Sequence, residues 1–238
     1  MKNKLIIFLT PFFLFSFSVH EASALFQPRK RELSTEGKLS IIPLFSFGVG
    51  LNDRKIGVAQ NPQTGEEKAL NLSAGGGLAG GLAIRYGISK FIDVEGGFTI
   101  QQSSERPKIE NGSANFKRNV FFTSLLGKKA ITKMANLYGG AGLGYYQSPK
   151  MSFNEFADVE VRYGNTVGYH AILGWMAKGL NGLSAGLETR YYSVEYSAES
   201  MIFGGLRAFE IPDGDGKSLR NIDGSGIDFR FFLSWQIN

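Results

Sequence analysis

The amino-acid sequence predicts an all-β protein: a closed, eight-stranded, antiparallel up-and-down transmembrane β-barrel. Three observations carry the prediction. From residue 38 onward apolar residues recur at every second position, the period of a strand and not of a helix. The connections alternate in length, long at 52–69, 103–115, 147–162 and 197–224 and short at 87–90, 128–134 and 178–182, so the two ends of the molecule differ. The chain carries 31 Gly but only 7 Pro in 238 residues, which places its small residues inside ordered structure and not in a Pro-rich coil.

The first segment reads as an address. Lys2 and Lys4 precede an apolar run from Leu5 to Val19, and Ala22-Ser23-Ala24 supplies small residues for cleavage, so residues 1–24 are expected to be a secretory signal peptide. The run is short of the roughly 20 residues a spanning helix needs. Residues 25–37, with Arg29, Lys30, Arg31 and Glu32, are a polar leader on the periplasmic side, and 38–238 form the barrel. After cleavage 24 basic and 20 acidic residues remain, spread along the chain, which argues against a nucleic-acid-binding stripe. Later apolar stretches are interrupted by Gly and by charged or amide residues, so no helix is expected to insert.

The last segment shows the alternation best. Ile227, Phe229, Phe231, Leu233, Trp235 and Ile237 share one face, against Asp228, Arg230, Ser234, Gln236 and Asn238, with Phe232 the exception. A one-residue slip would exchange the faces, so register is strongly specified. Equivalent segments run over 183–192, 167–176, 92–101 and 70–86, and further strands at about 38–51, 116–127 and 136–146 complete eight. Over 70–86 the outward set is Leu70, Leu72, Ala74, Leu78, Leu82, Ile84 and Tyr86. The phase of 116–127 stays open, because Val120 and Phe122 compete with Phe121 and Leu125.

The polar face is poor in Lys and rich in Gly and Ser. Small residues suit the crowded interior of a narrow barrel, so the apolar face is assigned to lipid. Aromatics give a second sign: Tyr86, Trp175 and Trp235 fall near the short-turn rim and Tyr145, Tyr169 and Tyr191 toward the long loops, as two interface girdles would.

Seven charged residues lie on the inward face: Arg85, Asp93, Glu95, Glu188, Arg190, Asp228 and Arg230. Buried charges need partners, so these are expected to form a luminal salt-bridge ladder, with Arg85 opposite Asp93 and Glu95 one diagonal away. A structural plug is preferred to an ion path, because eight strands enclose little free volume.

Chemistry is sparse. The absence of Cys excludes disulfides and thiolate metal sites, and His20 and His170 are the only imidazoles. His170 is placed opposite Arg190, with Ser184 too far down the strand to serve as its nucleophile, and is read as an ordinary luminal residue. Asp213-Gly214-Asp215-Gly216 starts like a calcium loop but lacks the later ligands. Lys128, Lys129 and Lys133 read as a solvated periplasmic turn. No catalytic residue, cofactor or metal is expected.

Residues 138–145 (Tyr138-Gly-Gly-Ala-Gly-Leu-Gly-Tyr145), 168–175 (Gly168-Tyr-His-Ala-Ile-Leu-Gly-Trp175), 186–192 and the alternating terminal strand resemble the small eight-stranded outer-membrane proteins of Gram-negative bacteria, the OmpA/OmpW/OmpX-like barrel group. The resemblance covers nearly all of 38–238. It implies location in the outer membrane among lipid and lipopolysaccharide, assembly by the insertion machinery reading the last strand, and roles in envelope structure, adhesion or solute passage. Members usually finish on Phe, whereas this chain finishes Trp235-Gln236-Ile237-Asn238, and no peptidoglycan-binding domain follows the barrel. The expectation is a non-enzymatic barrel whose long loops carry recognition; the alternative is a narrow porin-like channel for small or hydrophobic solutes.

Overall fold

The computed structural model describes residues 35–60, 67–104, 113–132, 134–154, 158–179, 182–207 and 219–237, with the backbone alone at 53–60, 67–70 and 154. The chain divides into Met1–Glu32 and Leu33–Asn238, and every described residue belongs to the second unit. The signal expected at 1–24, most of the leader expected at 25–37 and the acidic turn at 213–216 lie outside the described residues.

The described strands are β1 (Leu39–Gly50), β2 (Asp53–Gln60), β3 (Glu67–Ser73), β4 (Gly77–Gly87), β5 (Ile92–Ser104), β6 (Ser113–Ala130), β7 (Ala135–Asn154), β8 (Asp158–Tyr163), β9 (Thr166–Lys178), β10 (Leu183–Ser193), β11 (Glu195–Phe203), β12 (Leu206–Arg207), β13 (Asn221–Asp223) and β14 (Gly226–Ile237). Eight close a barrel in the order β1, β4, β5, β6, β7, β9, β10, β14, each antiparallel to its neighbours. Closure is made by β14 returning to β1, from Ile237 opposite Leu39 to Gly226 opposite Gly50. No backbone edge is left along the wall, which is what a segment surrounded by lipid requires.

The remaining strands sit at the long-loop rim. The hairpin β2–β3 lies between β1 and β4, while β6 and β7 overrun the wall together and β7 pairs with β8, which pairs in turn with β11. At 18 and 20 residues, β6 and β7 exceed the wall strands, because their alternation continues into the expected loops.

The second expected strand, 70–86, is in fact two. β3 ends at Ser73 and β4 begins at Gly77, with a turn at 74–75 between them. Glycine makes the break: Gly77 has φ +102°, and a Cβ there would strike the Gln102 carbonyl. The outward assignment of Leu72 and Ala74 is therefore overturned, since both are buried inside; Leu70 ends in the β2–β3 hairpin, opposite Gly57.

The phase left open on β6 resolves with Phe116, Val120, Phe122 and Leu126 inside and Phe121 and Leu125 outside. Phe122 is accommodated because its register partner is Gly97, where a Cβ would lie 2.6 Å from the Phe122 ring. Phe232, the exception on β14, also turns inward, over Gly186 opposite it.

Outside, Phe45, Leu82, Leu125, Leu143, Leu173 and Phe231 are exposed together with most other outward apolar residues. Such a belt far exceeds the few hundred Å² of contiguous apolar surface a soluble monomer carries. Inside, one apolar cluster (Ile42, Leu44, Ala83, Phe122, Leu126, Tyr138, Ile172, Met176, Phe232) fills the short-turn half. A second, containing Leu72, Phe116, Met151, Val161, Tyr196 and Ile222, closes the long-loop end. Charged and hydroxyl groups lie between and below them.

Candidate functional site

The interior carries the chemistry. Among the described residues, Arg85, Arg118, Lys128, Arg190 and Arg230 are buried cations and Asp93, Glu95, Glu188 and Asp228 buried carboxylates. All seven residues of the expected ladder are inside. The missed two, Arg118 and Lys128, turn the balance from one negative charge to one positive.

The ladder's first rung differs from expectation. Arg85 pairs in register with Glu95, and Asp93 pairs with Gly87, because the β4–β5 turn centres on Lys90 and not on Ser89. The Ser89 hydroxyl accepts from the amides of Phe91 (3.2 Å) and Ile92 (3.1 Å), which sets that turn. A shift of two positions keeps every side chain on its face but changes its partner. Arg85 Nε and Nη2 donate to Glu95 Oε2 at 2.9 and 2.5 Å, and Nη2 lies 3.8 Å from Glu188. Asp93 is instead bound by the Lys128 ammonium, which also donates to the Thr35 hydroxyl, while Thr35 donates to Asp93 at 2.9 Å. Lys128 is thus not a solvated turn residue. It closes the short-turn rim over the end of the leader, where Gly37 N donates to Gly87 O at 2.8 Å.

Above that rung, Arg190 joins two carboxylates, with Nη2 3.0 Å from both Glu95 and Glu188. The Tyr138 hydroxyl donates to Glu188 at 3.1 Å. Arg230 is held more loosely, 3.5 Å from Glu188 and 4.0 Å from Asp228. Rings take the guanidinium faces: Arg85 lies 4.6 Å from the Tyr138 centroid, and Arg190 and Arg230 lie 4.3 and 5.1 Å from that of Phe122. Arg190 Nη1, Arg230 Nε and Ser46 Oγ make no hydrogen bond within the protein.

The top layer centres on Arg118. Its Nε and Nη2 donate to Gln101 Oε1 at 3.0 and 2.6 Å, and Nη1 donates to the Tyr196 hydroxyl (2.6 Å) and the Gly224 carbonyl (3.1 Å). Gln101 passes the link on, donating to Asp228 at 3.2 Å. Arg118 therefore ties the barrel wall to β11 and to the residue after β13. The signal for it in the sequence was the alternation Arg118, Val120, Phe122, Ser124, Leu126, Lys128, legible once the phase of β6 is known.

His170 is opposite Tyr192, not Arg190, which faces Ile172. Its Nε2 lies 2.8 Å from Ser124 Oγ, with the Phe122 ring edge-on at 6.2 Å. Both residues are buried, so this is a closed hydroxyl–imidazole hydrogen bond.

The six aromatics expected at the interfaces all lie on the outer face. Tyr86, Tyr145, Tyr169, Tyr191 and Trp235 are exposed and Trp175 is half-buried. Tyr86 and Trp235 are one register step apart at the short-turn rim, facing Leu39 and Ile41, while Tyr145 and Tyr191 face Val167 and Ile227 near the other.

A closed eight-stranded wall, an apolar exterior and a filled, ion-paired interior define the class: the fold of a small outer-membrane β-barrel. Solved structures of that class are similar. The outer membrane protein OprG from Pseudomonas aeruginosa aligns over 86% of this chain and 98% of its own, with a TM-score of 0.56 and 14% identity. Ail, the attachment invasion locus protein of Yersinia pestis, aligns over 85% and 99% at a TM-score of 0.45 and 13% identity. AlkL, solved in DMPC bilayers, aligns over 90% and 96% at 0.47 and 14%. No protein-family model matches the sequence, and no curated protein matches it either.

Proposed function

We propose that this chain is a non-enzymatic outer-membrane barrel with a plugged lumen, exported through a cleaved signal at 1–24. In this reading the short turns face the periplasm and the hairpin β2–β3 and the sheet β7–β8–β11 stand outside, where they carry recognition. The last strand, β14, is the segment the assembly machinery reads, and the interface aromatics sit at the two headgroup layers. The observation that supports the plug is the continuity of the filling: Lys128 and Asp93 at one rim, Arg85, Glu95, Glu188 and Arg190 across the middle, and Arg118 bonded to Tyr196 of the upper apolar cluster. A conducting path would have to break these pairs at several levels.

Planar-bilayer recording tests it. The reconstituted protein is expected to show no steady ion-selective openings, and such openings, altered in Arg85→Ala, would overturn the plug. Spin labels at Leu187 and Phe229 are expected to report acyl chains; labels there reporting water would overturn the membrane reading itself.

A further inference from the structure

The outer face of β6 changes character upward. Leu125, Thr123 and Phe121 give way to Asn119 and then Lys117, while β7 runs Leu143, Tyr145, Gln147 and then, past a bulge, Lys150. Phe121 pairs with Tyr145, Asn119 with Gln147 and Lys117 with Lys150, and Lys150 pairs on its other side with Arg162 of β8. Three cations thus stand in one register row on three adjacent strands. Neighbouring strands are about 4.8 Å apart, so the row spans about 10 Å at the backbone. It points outward, because the next row, Phe116, Met151 and Val161, is fully buried in the upper apolar cluster.

Like charges directly opposite one another across strands are destabilising, so the alignment has a cost that nothing in the fold requires. Glu160 offsets part of it, 3.3 Å from Lys150 and 2.6 Å from Arg162, and the hydrogen bond from Arg162 holds its carboxyl below the usual carboxylate range. Glu199 is the other carboxylate lining the hollow of about 530 Å³ that Lys117, Lys150 and Arg162 share. Positive charge remains in excess. The side chains of Lys150 and Arg162 are 45% and 60% exposed, so their heads are open to a ligand.

Height completes the argument. Four residues separate Phe121 from Lys117, about 13 Å along the strand or about 10 Å along the barrel axis at a tilt near 40°. The row therefore stands above the Tyr145 level, where headgroups replace acyl chains, and not in the hydrocarbon. We infer that Lys117, Lys150 and Arg162 form a binding site for a phosphate group of the lipid surrounding the barrel in its outward-facing leaflet. The assignment rests on the membrane reading proposed above. Arg162 supplies a forked donor and the two lysines supply point charges, the combination that holds a phosphate monoester from one side.

The test uses the full chain reconstituted in nanodiscs, with bisphosphorylated lipid A and the same lipid after dephosphorylation as probes, retained lipid being counted by native mass spectrometry. The wild-type protein is expected to retain the phosphorylated form at least ten-fold more. The triple variant Lys117→Gln, Lys150→Gln, Arg162→Gln is expected to lose that preference, and Lys117→Gln alone to reduce it. Equal retention of both lipids, or an undiminished preference in these variants, would overturn the site. Displacement by inorganic phosphate at equal concentration would overturn the lipid as the source of the phosphate. Protease protection of the wall strands is read in parallel: failure of the wild-type chain to insert would overturn the membrane reading, and is thereby distinguished from failure of the site.

Discussion

Arg85 and Glu95 face one another across β4 and β5, and the guanidinium places two donors, Nε and Nη2, on a single carboxylate oxygen at 2.9 and 2.5 Å. Glu95 uses its other oxygen for Arg190 at 3.0 Å, so one carboxylate holds two buried cations. Removing it alone strips Arg85 of its close partner and leaves Arg190 with Glu188 only. Glu95→Ala is expected to destabilise the barrel by about 3–5 kcal/mol, the usual consequence of breaking a buried pair. Arg85→Ala with Glu95→Ala should lose less than the two single losses combined. Urea midpoints followed by the fluorescence of Trp175 and Trp235 measure both; additive losses would show that the pair is not coupled.

Phe122 and Phe121 are adjacent in sequence and opposite in role. Phe122 lies beneath Arg190 and Arg230 and fills the space over Gly97, whereas Phe121 packs on Phe98 at the outer surface, with ring centroids 4.8 Å apart. Truncating Phe122 to Ala is expected to cost about 3–5 kcal/mol by cavity formation. The same change at Phe121 should cost clearly less. A reversed order in the same urea experiment would mean that β6 is in the other phase.

Lys128 bridges Asp93 and the Thr35 hydroxyl, so it pins the end of the leader to the rim. Lys128→Met keeps the length of the side chain and removes its charge. Amide exchange at Gly37, bonded to Gly87 O, is expected to accelerate while the amides of β4 and β5 stay protected. Unchanged exchange at Gly37 would show that the leader is held by its backbone alone.

Tyr138 offers a smaller test. Its ring lies over Gly174, its register partner, where a Cβ would meet the ring, and its hydroxyl reaches Glu188. Tyr138→Phe is expected to cost about 1.5–3 kcal/mol, the range for a hydrogen bond to a charged group. Gly174→Ala should displace the ring and cost about 1–3 kcal/mol by overpacking. Full stability in Gly174→Ala would contradict the contact.

Glu160 is the acid that partly neutralises the cation row. Because its carboxyl is held below the usual range, it stays ionised at neutral pH and is protonated only as the medium becomes acidic. Phosphorylated-lipid retention is therefore expected to rise as pH falls through that carboxyl's range, and Glu160→Gln should reproduce the rise at neutral pH. A variant that retained less lipid would show Glu160 to be a ligand-positioning group and not a competitor.

The amino-acid sequence determined by itself what depends on parity. Alternation is a property of each segment, so the eight-stranded wall, the faces of β5, β9, β10 and β14 and the luminal position of Arg85, Glu95, Arg190 and Asp228 were all legible without a partner strand. Tertiary structure alone decided what depends on register and on space. A turn centre moved by one residue slides a strand by two, which preserves every face and reassigns every pair; Arg85 thereby meets Glu95, and Asp93 is left for Lys128. Where both faces are apolar, as at 120–126, alternation is silent, and the room over Gly97 together with the cations stacked on Phe122 selects the phase. The same choice turns Arg118 inward, and glycine backbones at 75–77 fold Leu72 and Ala74 into the interior. Faces are set along one chain segment, whereas partners are set by how segments pack.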